Sequence, residues 1–371
     1  MPATLTGLLR RAAEQDGSDL HLTAGTPPRI RVRGDLCPQD DLSSLSPDDV
    51  KRLIYSGLTQ AQRQVFETTS ELDYAFGGGS GAEGGPRVRA NVYRQRGHAA
   101  GVYRLIPDRI PDFAMLGLPS AVVDLSDRPH GLVLVTGPTG SGKTSTLAAM
   151  IDRINRTRPA HVLTIEDPIE YVHPHRRSVV NQREVHADTA SFASALRAAL
   201  REDPDVVLIG EMRDLETSEA ALRLAETGHL TLATLHTSSA VQAVSRIIDL
   251  YPAHRQNLVR TQLCQVLEGV VCQRLVPAAD GGVRVCAAEV LIATPAIRNL
   301  IREDRLHQAY STMQAAGASV GMQTMTQALA SHCHRGAITR KTALTQAPNR
   351  NELIALLDRA LDRGRGRGHQ Q

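Results

Sequence analysis

The sequence predicts a two-part chain: an α/β region with a parallel sheet covered by helices on both faces, preceded by a smaller α+β domain. Three observations carry this. From about residue 119 short apolar runs alternate with stretches of helical periodicity, the pattern of a parallel sheet with helical crossovers. Within that region a glycine-rich string, Gly137-Pro138-Thr139-Gly140-Ser141-Gly142-Lys143-Thr144, stands between an apolar run and a helical pattern. Ahead of it, segments alternating at period two lie between turn signals, as antiparallel strands do.

In the first third, Asp19 to Leu22 and Arg29 to Arg33 alternate and are separated by Gly25-Thr26-Pro27-Pro28, so they read as strand, turn, strand. Ser46 followed by Pro47 marks a helix start, with Ser46 as N-cap and proline at the first helical position. Glu71 to Phe76 and Arg87 to Tyr93 read as paired strands. The ten residues 77–86 between them hold six glycines and read as a mobile loop. Gly101 to Ile106 is a last strand. Pro107-Asp108-Arg109-Ile110-Pro111 cannot continue it and opens a linker over 107–118.

Beyond the linker, Leu132 to Thr136, Val162 to Ile165 and Val206 to Ile209 are buried strands, and Ser191 to Arg201 a helix with one apolar stripe. The region after about 290 reads as all-helical. The Arg-Gly repeats from Arg363 to Gly368 have nothing to bury, so 361–371 reads as a disordered basic tail.

The glycine-rich string has the context of a phosphate-binding loop: Leu132-Val133-Leu134-Val135 before it, and Leu147, Met150, Ile151 and Ile154 at helical spacing after it. Backbone N–H groups and the helix N-terminus cradle phosphates, Lys143 reaches the β- and γ-phosphates of ATP, and the Thr144 hydroxyl can ligate Mg²⁺. Such a loop also needs a carboxylate on the metal side and a group to position the attacking water. Two acidic clusters follow strands: Glu166-Asp167-Pro168-Ile169-Glu170, and Glu211-Met212-Arg213-Asp214. Glu211, after four apolar strand residues, takes the place of the Walker-B acid. His229 and His236 bracket another strand and fall at its opposite ends, so a shared metal site is not expected. His236 ends its strand as the acidic clusters follow theirs, and an imidazole N–H there could sense the γ-phosphate.

Composition narrows the alternatives. A net charge of +3 with 3% aromatic residues and no Trp disfavours a nucleic-acid binder. The five cysteines form no C-x-x-C pair and no secretory leader is visible, which fits reduced thiols in the cytoplasm. No run of about 18 apolar residues is present, so membrane association is expected only through partners.

Together the motifs resemble the type II/IV secretion ATPases, closely the PilT-type pilus retraction ATPases. The matching strings are GPTGSGKT at 137–144, TIEDPIE at 164–170, LREDPDVVLIGEMRD at 200–214 and ETGHLTLATLHT at 226–237. SDLHLTAGTPPRIRVRGD at 18–35, TPAIRNLIRE at 294–303 and GMQTM at 321–325 extend the match over nearly the whole chain. The resemblance implies a PAS-like domain over 1–106, the linker, and a RecA-like ATPase domain over 119–360, assembled as a homo-hexamer. By position it implies nucleotide contacts from Gly137 through Thr144 and Ser145. Glu211 is implied as Walker-B acid toward Mg²⁺, through water, with Glu170 as general base supported by Glu166 and Asp167. His229 and His236 fill the His-box positions, and Arg89 and Arg104, with Arg94 and Arg96 behind them, are the arginines supplied to phosphate. The implied function is a cytoplasmic motor at the inner membrane that drives type IV pilus retraction with an inner-membrane platform protein as partner. The alternatives are a pilus-assembly or type II secretion ATPase of the same family, or an accessory scaffold without useful turnover. The family's assembly branch carries paired C-x-x-C ligands that this sequence lacks, and the string at 296–300 favours retraction. Its Ile297, Leu300 and Ile301 could equally be core.

Overall fold

The computed structural model describes residues 3–77, 85–106 and 109–367. It divides into two compact units, Met1–Arg109 with Pro168–Val172, and Ile110–Asp167 with His173–Gln371. The glycine-rich stretch falls mostly on 78–84 and the linker begins on 107–108, both outside the described residues.

The first unit opens with α1 (Leu5–Glu14), whose Leu5, Leu8, Leu9 and Ala12 form its buried stripe. Strands β1 (Gly17–Leu22), β2 (Arg29–Val32) and β3 (Asp35–Pro38) follow. Helices α2 (Pro47–Ser56) and α3 (Gln60–Thr69) each start with a capping box, Ser46 with Asp49 and Thr59 with Gln62. β4 (Glu71–Phe76), β5 (Val88–Gln95) and β6 (His98–Leu105) complete an antiparallel sheet of order β3-β2-β1-β6-β5-β4. Period-two alternation decides its faces. Leu20, Leu22, Ile30, Val88, Ala90, Val92 and Tyr103 enter one core with the apolar sides of α1 and α2. Asp19, Arg31, Arg104 and Arg89 are register partners on the opposite face.

The second unit runs α4 (Phe113–Leu116), α5 (Ser120–Ser126), β7 (Gly131–Thr136), α6 (Lys143–Thr157), β8 (His161–Glu166), β9 (Val179–Glu184), α7 (Phe192–Ala199), β10 (Val206–Ile209), α8 (Leu215–Glu226) and β11 (Leu230–Leu235). It continues with α9 (Ala240–Asp249), α10 (Ala253–Val266), β12 (Leu267–Val276) and β13 (Val285–Ile292). The helices α11 (Pro295–Arg302), α12 (Ala309–Ala316), α13 (Met325–His334), α14 (Arg340–Gln346) and α15 (Arg350–Arg367) close the chain. The sheet order is β13-β12-β7-β11-β10-β8-β9, parallel except for the edge strand β13. β7 shows why its sequence is continuously apolar. Leu132 and Leu134 face a layer containing Leu222, Val244 and Leu263, while Val133 and Val135 face Val122, Leu147 and Ile151 on the other side. Burying each such side chain contributes about 1.5–3 kcal/mol.

One expectation needs revision, and two segments are specified further. The tail assigned to disorder from 361 continues α15 as far as Arg367; 368–371 lie outside the described residues. Leu353 and Leu357 anchor that helix in a core, and an established helix adds one hydrogen bond per further residue, which offsets the glycine cost of about 1 kcal/mol each. The linker region contains α4, opened by Asp112 as N-cap. In the string at 296–300, Ile297 is fully buried, as is Ile301 beyond it, and Arg298 is architectural. Its guanidinium donates to the carbonyls of Ala293, Cys264 and Gln265 at 2.8 Å and to Glu268 Oε1 at 2.7 Å, so it closes the carboxyl end of α10. Among the described residues no helix is long and apolar enough to cross a membrane.

Candidate nucleotide-binding site

Parallel strands put all their carboxyl ends on one edge, where α/β sheets bind ligands. The order β7-β11-β10-β8 therefore lines up, side by side, the glycine-rich loop, the segment after Leu235, the loop after Ile209 and the acids after Ile165.

Positive φ favours glycine at the loop's turning points. Gly137, Gly140 and Gly142 have φ of +141°, +75° and +88°. A Cβ on Gly137 would lie 2.3 Å from the Gln273 carbonyl oxygen and 2.6 Å from Ser141 Oγ. The loop delivers the chain into α6, fifteen residues long, whose N-terminus no side chain caps. That leaves N–H groups and the positive helix end for an anion. Ser141 Oγ is buried there with no hydrogen-bond partner among the described residues, which suits a phosphate oxygen. Lys143 Nζ lies over the same loop, donating to the carbonyls of Gly137 at 2.9 Å and Pro138 at 3.2 Å.

Next to it, Glu211 collects two partners. Arg213 Nη2 lies 2.7 Å from its Oε2 and His236 Nε2 lies 3.0 Å from its Oε1. Burial pushes the Glu211 carboxyl up, but the hydrogen bond from Arg213 and the positive field of His236, Arg213 and Lys143 outweigh it. The result lies below the usual carboxylate range, so Glu211 is ionised at neutral pH. The loop is fixed by Gly210 N–H to the Ile165 carbonyl, Met212 N–H to the Thr234 carbonyl, and Thr234 Oγ1 to the Gly210 carbonyl. Asp214, the last acid of this cluster, serves as N-cap of α8. On the other flank Thr136 Oγ1 accepts from Thr237 N at 2.9 Å, tying the exit of β7 to the residue after His236.

Glu166 is buried, accepting from Thr164 Oγ1 at 2.7 Å and from Gln182 Nε2 at 3.2 Å. Asp167 is exposed and Glu170 half-buried. Glu170 belongs to the segment Pro168–Val172 of the first unit, in which Arg87 Nε donates to the Ile169 carbonyl at 3.1 Å.

His229 is not part of this grouping. It precedes β11, at the edge opposite the loop, where its carbonyl accepts from Gly131 N and its Nδ1 lies 3.0 Å from both the Leu224 carbonyl and Thr227 Oγ1. Six strand residues, about 20 Å at ~3.3 Å each, separate it from His236. Within one chain it cannot share the catalytic role expected of it. In the first unit Arg104 Nε donates to Asp19 Oδ1 at 2.8 Å, and Arg89 is exposed beside it across the β5–β6 register. Arg94 lies 5.6 Å over the Phe66 ring and Arg96 is a turn residue at φ +49°.

Several site residues gave no usable signal in the sequence. Arg213 stands two residues after Glu211, but only the loop's fold turns it back onto that carboxylate. Gln273 Nε2 donates to Thr146 Oγ1 at 2.8 Å and so braces the first turn of α6 from β12. Glu289, inside an apolar strand, accepts from two helix N-termini.

The donors fit a magnesium ion. Thr144 and the ionised Glu211 are hard oxygen groups, and such an ion keeps water and phosphate oxygens as its remaining ligands. No cluster of three or more His, Cys, Asp or Glu side chains capable of enclosing a metal occurs among the described residues.

Residues 118–355 match the family model described as "Type II/IV secretion system protein". The chain is 49% identical over 343 residues, 92% of its length and 98% of the relative's, to the Pseudomonas aeruginosa protein "Type IV pilus retractation ATPase PilT". It is 45% identical to a Neisseria gonorrhoeae "Twitching motility protein", covering 93% and 91%. The solved structure described as "Crystal Structure of the Pilus Retraction Motor PilT and Bound ADP" matches with a TM-score of 0.88 at 49% identity, covering 95% of this chain and 99% of that one.

Proposed function

Because this chain belongs to the type II/IV secretion system protein family, we propose that it is an ATPase motor that drives retraction of a type IV pilus. The observation that carries the reading is the convergence of Lys143, Glu211 and His236 on the carboxyl edge of one sheet, in a chain similar along nearly its whole length to a retraction ATPase.

The chemistry asks for phosphate binding, charge neutralisation and an oriented water. The loop from Gly137 to Ser145 and the start of α6 bind the phosphates, with Lys143 turning from its loop carbonyls to the β- and γ-phosphates. Thr144 directly and Glu211 through water would hold Mg²⁺, which neutralises phosphate charge when bound. Glu170 is the proton acceptor for the attacking water, with Glu166 and Asp167 in support. His236 donates toward the γ-phosphate while Glu211 fixes its ring. Loss of that phosphate breaks the contact and signals hydrolysis to the loop after β11. The working form is a homo-hexamer on the cytoplasmic face of the inner membrane, engaging a platform protein of the pilus machinery. Arg89 and Arg104 act toward phosphate within that ring.

A pilus-bearing strain lacking its own retraction ATPase tests this. Expression of the chain restores twitching zones and lowers surface piliation, and the Lys143→Ala form does neither. Rescue of pilus formation in an assembly-deficient strain, with no effect on retraction, would overturn the reading in favour of an assembly motor.

A further inference from the structure

A buried carboxylate joins the loop after β11 to the C-terminal helices. Glu289 on β13 is 3% exposed. Its Oε1 accepts from the backbone N–H of Ala240 at 2.6 Å and its Oε2 from that of Met325 at 3.1 Å. These are the first residues of α9 and α13. Two helix N-termini therefore end on one carboxyl group, each offering unsatisfied N–H groups and the positive end of its peptide dipoles. This is the setting in which a buried carboxylate is tolerated, and in which losing one acceptor leaves a buried donor stranded.

What lies on either side gives the arrangement its meaning. Ala240 is four residues beyond His236. The intervening chain is held at Thr237 by Thr136 and by Cys272 Sγ, 3.9 Å from the Thr237 carbonyl, and Ser239 caps α9 through Gln242 N at 3.2 Å. Glu289 fixes the far end of this loop. On the other side the string at 321–325 lies along β13: Gln323 exchanges backbone hydrogen bonds of 2.8 and 3.1 Å with Val290, and its Nε2 donates to the Ala288 carbonyl at 2.6 Å. That string ends at Met325, on the same carboxylate.

We propose that Glu289 is a positioning residue for His236. By holding the N-termini of α9 and α13 together it keeps residues 236–239 in register with Glu211, and it makes the geometry of the ATP site depend on the seating of residues 321–325. The inference rests on the reading of His236 as part of the hydrolytic site.

Steady-state phosphate release by the purified full chain tests it, using Glu289→Gln alone and in a His236→Ala background. Glutamine keeps the shape but turns one acceptor into a donor facing a backbone N–H. A misplacement of about 1 Å at a catalytic group costs up to ~10²-fold in rate, so kcat should fall about ten- to a hundredfold with KM for ATP within about twofold. If the effect runs through His236, Glu289→Gln added to His236→Ala lowers kcat no further. A wild-type kcat in Glu289→Gln overturns the proposal, as does an undiminished loss in the His236→Ala background, which marks ordinary structural damage. Glu289→Asp keeps the charge one methylene short and carries the same comparison where the glutamine variant does not assemble. Wild-type turnover in His236→Ala alone overturns the site reading itself, and the route through His236 with it, without reference to any Glu289 variant.

Discussion

Adding a single methyl group to Gly137 should disable the phosphate loop, and the structure sets the size of the effect. At φ +141° an L side chain is strained by about 1–3 kcal/mol. The new carbon would also lie 2.3 Å from the Gln273 carbonyl and 2.6 Å from Ser141 Oγ. Gln273 is paired with Ala288 of β13, and its neighbour Cys272 with Thr136 of β7, so the carbonyl has little room to retreat and the loop must. Such overpacking costs about 1–3 kcal/mol more. If about 3 kcal/mol of this total falls on the bound form, ATP affinity drops about a hundredfold, at ~1.4 kcal/mol per tenfold. Neighbouring glycines provide the control. A Cβ on Gly142 has its nearest neighbour at 3.9 Å and one on Gly140 meets nothing within 4 Å, leaving only the backbone term of about 1–2 kcal/mol. Calorimetric titration with ATP, together with the rise in Tm that ATP induces, should therefore rank Gly137→Ala well below Gly140→Ala and Gly142→Ala. Equal affinities for all three would refute the reasoning.

Other expectations follow from the same geometry. Glu211→Gln removes an ionised carboxylate facing Arg213 and His236, and should lower kcat about 10²–10³-fold while ATP still binds; turnover above a tenth of wild type would exclude Glu211 from the machinery. His173 is buried, and burial pushes its pKa down to about 4 from 6.5, so the unfolded chain takes up its proton first. That stability is intact above pH 6.5 and is lost as pH falls to about 4, some 3 kcal/mol in all; Tm against pH should be flatter across this window in His173→Asn, and an unchanged slope contradicts the assignment. Arg298→Ala strips the carboxyl end of α10 of its cap and should destabilise the second unit by about 2–3 kcal/mol in denaturant titration. A stability unchanged by Arg298→Ala would instead place that arginine's function at the surface.

The parts of the fold legible in the sequence are those whose environment repeats along the chain. β7, β8 and β10 read as apolar runs because both faces are covered, as the split of Leu132 and Leu134 from Val133 and Val135 shows. Glu211 and His236 could be placed near the loop because each follows a parallel strand, and parallel strands end together. Edge strand β9 escapes this logic, since its polar half, Asn181 to Glu184, has no second buried face to advertise. The Arg213–Glu211 pair and the brace from Gln273 are long-range meetings without a periodic signature. Glu289 is the sharpest case: a lone acid in an apolar strand reads as a surface residue, and only the two helix N-termini that converge on it show why it is inside. His229 shows the reverse: its place at the far end of the strand from His236 was legible from the spacing, and only the shared motif suggested a shared role.

Phosphate release from ATP by the purified full chain, compared with Lys143→Ala under the same conditions, tests the central claim most directly. Sustained turnover by the wild type, abolished in the variant with Tm unchanged, is the result that the loop geometry and Lys143 predict. Equal turnover by both would mean that hydrolysis does not occur at this loop.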